Sequence, residues 1–203
     1  MIPLTGIYRS DIYLTGIYSP MNILLGFAPY LAFFLFMHAG SAIVGLWAAL
    51  IVALLNAGRD WARTRSLKVL ELGTVLLFAA LAIFTTLEHW NWTVMAVRLA
   101  VDVGLLTIVL ASLATGHPFT LQYARERVPE KYWHAPLFLT INRRITWAWA
   151  IAFAAMSASH AAVVFVPAEL LWLDIVVTIS ALASALSFTA WYPAYVRKKT
   201  ELS

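Results

Sequence analysis

This sequence has no cysteine in its 203 residues, and only 12% of them are Asp, Glu, Lys or Arg. The first absence removes disulfides, a thiolate nucleophile and any Cys-ligated zinc or iron–sulfur centre. Familiar catalytic spacings are missing as well. The 5 histidines are scattered, with no His-Glu-x-x-His, no Walker loop and no dinucleotide-binding glycine pattern. There is no Gly-x-Ser-x-Gly elbow. The run Ser157-Ala158-Ser159-His160 would aim its hydroxyls and imidazole in different directions around a helix. The late apolar stretches hold no lysine for a retinal Schiff base. Residues 1–20 lack the basic start and apolar centre of a secretory signal. Neither an enzyme, a cofactor nor a metal centre is expected.

What is present is apolar surface. The hydrophobic fraction is 62% and the mean hydropathy +0.80, well above a soluble domain. Apolar stretches alternate with short polar breaks, and the cations fill every second break. Arg59, Arg63, Arg65 and Lys68 occupy one; Arg125, Arg127, Lys131, Arg143 and Arg144 occupy another; Arg197, Lys198 and Lys199 follow the last apolar stretch. The breaks near 39–40, 88–92 and 166–169 have no Lys or Arg. That is the positive-inside pattern of a multi-spanning membrane protein. The net charge of +4 therefore implies contact with anionic lipid head groups. Nucleic acid is not implied, because the cations form no continuous face with interleaved aromatics.

A helix needs about 20 apolar residues to cross the hydrocarbon. The spacing predicts an all-α polytopic transmembrane bundle of about six spans, near 22–37, 41–57, 69–87, 93–115, 145–167 and 170–193. An interfacial segment over 1–20, with the repeat Leu-Thr-Gly-Ile-Tyr at 4–8 and 14–18, precedes the transmembrane domain of 21–199. A cytoplasmic amphipathic segment over 116–144 separates spans four and five, and a basic tail covers 194–203. Six spans put both termini in the cytoplasm. Small residues at four-residue spacing are expected to be packing ridges: Ser41, Gly45, Ala49, Ala53 and Ala57 on span two, and Ala150, Ala154, Ala158 and Ala162 on span five. Trp90, Trp92, Trp147, Trp149, Trp172 and Trp191 read as interfacial anchors.

Ionisable residues inside spans cost about 2.5–3.5 kcal/mol each at the centre and need a reason. Arg98 and Asp102 share a face of span four, and His160 and Asp174 fall at similar depth on spans five and six. Two readings stand: a polar cluster that moves protons or binds a cation or polar head group, or a structural tie between these spans. Lys68 and Glu71 are spaced for a local ion pair. In the segment 116–144, Arg125, Arg127, Lys131, Trp133, Phe138, Asn142 and Arg143 form a candidate interaction stretch lying on the membrane surface. Docking of a soluble partner there is the other reading.

The order of several features resembles one family. An aromatic-rich first span (Phe27-Ala-Pro-Tyr-Leu-Ala-Phe-Phe-Leu-Phe36) leads through a basic break to Lys68-x-x-Glu71. His89, His117-Pro118, the stretch from Pro136 to Asn142 and Trp149-Ala150 ahead of Phe153 follow. This sequence resembles the intracellular septation protein A family, the YciB-like inner-membrane proteins of Gram-negative bacteria, as a divergent member with Phe138 at a position where that pattern carries Trp. The resemblance implies a bacterial inner-membrane protein of envelope maintenance and septation, non-enzymatic, acting through membrane-protein partners of the envelope or division machinery. A small transporter or channel built on Arg98, Asp102, His160 and Asp174 is the alternative.

Overall fold

A computed structural model of the chain describes residues 25–39, 41–66, 68–87, 92–126, 128–163 and 172–201. Among them no strand occurs. The elements are α1 (Ala28–Ala39), α2 (Ala42–Thr64), α3 (Val69–Leu87), α4 (Val94–Ala114), α5 (Phe119–Arg125), a 3-10 turn (Glu130–Tyr132), α6 (Pro136–Ala162) and α7 (Trp172–Glu201). Four of them, α2, α3, α4 and α7, are long and apolar enough to cross a membrane. α1 is apolar but short. α6 has 27 residues but is not among the four, because Ser157, Ser159 and His160 dilute its apolar part. The segment 1–20 with its repeat, Glu88, His89, Trp90 and Arg127 lie outside the described residues.

Helix ends depart from the expected spans where local chemistry decides them. α3 covers the stretch expected for span three. α2 runs past 57 to Thr64, and ends where Arg65 turns left-handed (φ 55°) and returns its N–H to Trp61 O. α6 starts at Pro136, a residue suited to a first helical turn, so Phe138, Asn142 and Arg143 belong to a long helix. α7 continues through Pro193 to Glu201, which makes the expected tail helical over most of its length. α4 ends at a tight turn: Gly116 (φ +73°) takes a left-handed conformation that other residues rarely adopt.

Each helix packs on its neighbour in the order α1, α2, α3, α4, α6, α7, with α5 wedged against α4 and α6. The α1–α2 hairpin is close enough that a Cβ at Gly45 would lie 2.9 Å from Phe33 O and 3.1 Å from Met37 N. Ala49 and Ala53 are buried beside it, so the ridge on α2 is a packing face. The ridge on α6 is not: Ala150 is buried, whereas Ala154, Ala158 and Ala162 face outward. Trp149 overturns its reading as an anchor. It is 1% exposed, stacks on Phe27 at 4.7 Å between ring centroids and donates its N–H to Thr189 Oγ1 at 3.1 Å. The same core takes in Phe119, Tyr123, Ile145 and Phe153. A second core joins α1 to α4 through Phe33, Leu46, Phe78 and Val101.

The outside is more apolar than much of the inside. Leu31, Leu55, Leu76, Ile151 and Ile179 are all more than 60% exposed, while Lys68, Glu71, Asp102, His160 and Asp174 are buried. A protein in water would not invert its surface this way. A bilayer that solvates the exposed leucines and isoleucines accounts for it.

Candidate functional site

Buried charge gathers at both ends of the bundle. At the end away from the basic breaks, the sequence-expected cluster assembles in part. Asp102 on α4, His160 near the end of α6 and Asp174 in the first turn of α7 meet around the imidazole. His160 Nδ1 hydrogen-bonds Asp102 Oδ2, and Nε2 stands 3.1 Å from Asp174 Oδ2. Both ring nitrogens can donate together only as an imidazolium. Ser159 donates its hydroxyl to the other Asp174 oxygen at 2.6 Å. Ser157, also buried, has no partner for its Oγ. The arrangement ties three helices and can hold or pass a proton.

Arg98 does not join this hydrogen-bonded group. Its guanidinium donates to His38 Nε2 at 2.8 Å and lies over the Phe34 ring, 5.6 Å from the centroid. His38 Nδ1 in turn meets Phe34 O at 2.7 Å, which fixes the tautomer that leaves Nε2 as acceptor. Arg98 thereby links α4 to the end of α1.

A second cluster at the basic end went largely unforeseen. The expected Lys68–Glu71 pair is present at 3.1 Å, but the Lys68 ammonium also binds Asp60 and Glu126 at 2.8 Å. The Tyr123 ring lies 4.6 Å beneath it. Burial works against this charge, yet the hydrogen bonds it donates to Asp60 and Glu126 and the field of Glu71 outweigh it, so the Lys68 amine is held above the usual lysine value. Burial, then the nearby carboxylates, raises the Tyr123 hydroxyl well above its ordinary value. α5 contributes Gln122, whose Oε1 accepts the Val69 N–H at 2.7 Å and caps α3. A cavity of about 260 Å³ opens beside these groups, reaching Arg59, Arg63 and Asn56. Three elements contribute the carboxylates, so no sequence window contained them all.

The interaction stretch divides. Asn142 (1% exposed) and Phe138 are interior; Asn142 donates to Phe138 O at 2.9 Å, and its own carbonyl accepts from Thr120 at 2.9 Å. They are structural and offer nothing to a partner. α5 does not lie free on a surface either: Phe119, Thr120, Leu121, Tyr123 and Ala124 are all buried. Arg125 covers Trp133 at 5.3 Å from the centroid, and Trp133 Nε1 donates to Val128 O at 2.8 Å. Lys131 and Arg143 are exposed. Among the described residues no group of His, Asp or Glu is arranged to hold a metal ion.

Long apolar helices, lipid-suited outer faces and a paired ionic interior define a helical integral membrane protein. No family model, no curated protein and no solved structure matches the chain.

Proposed function

We propose that this is a non-enzymatic protein of the bacterial inner membrane that crosses it six times, with both termini cytoplasmic, and serves envelope maintenance and septation by binding other membrane proteins. The observation that carries the non-catalytic reading is the closure of His160: a carboxylate meets each ring nitrogen, so neither nitrogen is open to a substrate or a metal ion. α1 and α6 supply the two crossings beyond the four long apolar helices. The basic end lies against anionic head groups. The setting in septation comes from the residue order that resembles the septation protein A family, and with no matching family model that order is its whole support.

Exposed Lys131 and Arg143 offer the contact surface for membrane-protein partners, and the test is complementation at matched protein levels. Charge reversal at both sites is expected to reproduce the division or envelope defect of a deletion strain, while Asp102→Asn rescues it. The opposite ranking favours a small transporter or channel. That second reading has its own observation, the meeting of Asp102, His160 and Asp174 from three helices. It requires proton or cation flux in proteoliposomes that Asp174→Asn abolishes.

A further inference from the structure

The two halves of α7 are held by different chemistry. The second half is anchored by packing and fixed hydrogen bonds. Ala185, Thr189 and Tyr192 are buried, Trp149 Nε1 donates to Thr189 Oγ1, and Arg144 donates to the Tyr192 hydroxyl at 2.7 Å. Over residues 172–184, by contrast, Asp174 alone is buried. Ala181 and Leu182 reach the core only in part, and Leu173, Ile175, Val176 and Ile179 face outward. α7 packs chiefly on α6, and in lipid apolar contact between helices contributes little. The first half of α7 is therefore attached mainly through one carboxylate.

That attachment depends on a proton. Asp174 Oδ2 stands 3.1 Å from His160 Nε2 while Nδ1 bonds Asp102, and both nitrogens donate only in an imidazolium. Among the described residues, α4 brings Asp102 and Arg98 to the ring; the Arg98 charge reaches it, although its hydrogen bond goes to His38 of α1. α7 brings Asp174, and α6 itself adds the hydroxyls of Ser157 and Ser159. Glu71 of α3 and Arg125 of α5 belong to the basic end. Without the proton, two buried carboxylates flank a ring with one N–H, and one of them meets a lone pair. Ser159 still donates to Asp174, but a hydroxyl does not neutralise a carboxylate, and a buried unpaired charge is costly. Asp102 sits about two turns inside α4. Asp174 is in the first turn of α7, beside the end of the bundle, so it is the carboxylate that can leave for water.

We propose that the contact between His160 and Asp174 is a pH-governed latch on α7: protonated, it holds residues 172–184 against α6, and deprotonated, it lets that half swing outward about the anchored second half. The latch is closed at low pH and opens as the pH rises. It concerns α7 alone and stands whether the protein binds partners or moves ions.

The test is a pair of distances between spin labels, measured by pulsed electron resonance on the full chain in lipid nanodiscs. The chain has no cysteine of its own, so labels go only where they are placed. Val94→Cys with Leu173→Cys, both exposed, reports the latched end; Arg143→Cys with Tyr195→Cys, also exposed, reports the anchored end. From about pH 5 to about pH 9, which brackets histidine's loss of charge, the first distance is expected to lengthen by about 5 Å, the rise of one helical turn. The second is expected to stay fixed. Asp174→Asn removes the charge that is expelled and is expected to hold the first distance constant over the same range. His160→Gln has no imidazolium and is expected to be open at both pH values; if it does not fold, Asp174→Asn still decides. A first distance indifferent to pH overturns the proposal. So does a response that survives Asp174→Asn, which places the titrating group elsewhere, or one shared by both pairs, which is loosening of the whole bundle.

Discussion

His160 shows how one side chain can be both expensive and indispensable. Removing one partner from a buried ionic group leaves the other uncompensated, at about 3–5 kcal/mol. Asp102→Asn and His160→Gln are each expected to lower stability by that order. Replacing the group together by apolar residues (Asp102→Leu, His160→Phe, Asp174→Leu) is expected to recover most of the loss, because no charge is then stranded. Chemical or thermal unfolding in detergent checks the ranking. If the cluster is only a tie, the triple variant also complements; a transporter would not tolerate it. The members of this cluster were legible in the sequence because ionisable residues are conspicuous inside apolar spans. Which of them touch was not. Arg98 shares a helix face with Asp102 yet turns to His38, a choice set by the neighbouring helix.

At the scale of elements, small residues carry the α1–α2 contact, since helices in lipid gain little from apolar burial against each other and rely on close fit. Gly45→Val is expected to destabilise by about 1–3 kcal/mol through overpacking, as its Cβ would press on the backbone of α1. Ala158→Val, on the outward ridge of α6, is expected to change stability by less than about 0.5 kcal/mol. Comparing the two melting temperatures tests whether the α6 ridge is free in the isolated protein. Both ridges read alike as sequence, because a four-residue spacing fixes a helix face but not what the face meets. Trp149 teaches the same point: its place near an expected span start suggested an anchor, and only the Phe27 stack reveals a core residue.

For the whole molecule, the lack of cysteine makes topology directly measurable. Thr93→Cys and Arg143→Cys are exposed positions on the two sides of α4. With the basic end cytoplasmic, an impermeant maleimide applied to intact spheroplasts is expected to label Thr93→Cys alone, and Arg143→Cys only after lysis. Labelling in the reverse order would overturn the orientation, and labelling of both from outside would remove a crossing.

Composition and charge order alone determined that this chain is helical and belongs in a membrane. A 62% apolar chain must satisfy its amides within itself, and helices do so locally. Local signals also placed α3, because a span's length follows from the bilayer. The tertiary structure decided everything that depends on which face meets which neighbour. It buried Phe138 and Asn142, turned the α6 ridge outward and brought Asp60 and Glu126 to Lys68. Those carboxylates are far apart along the chain, and only the packing of α2, α3 and α5 makes them one site.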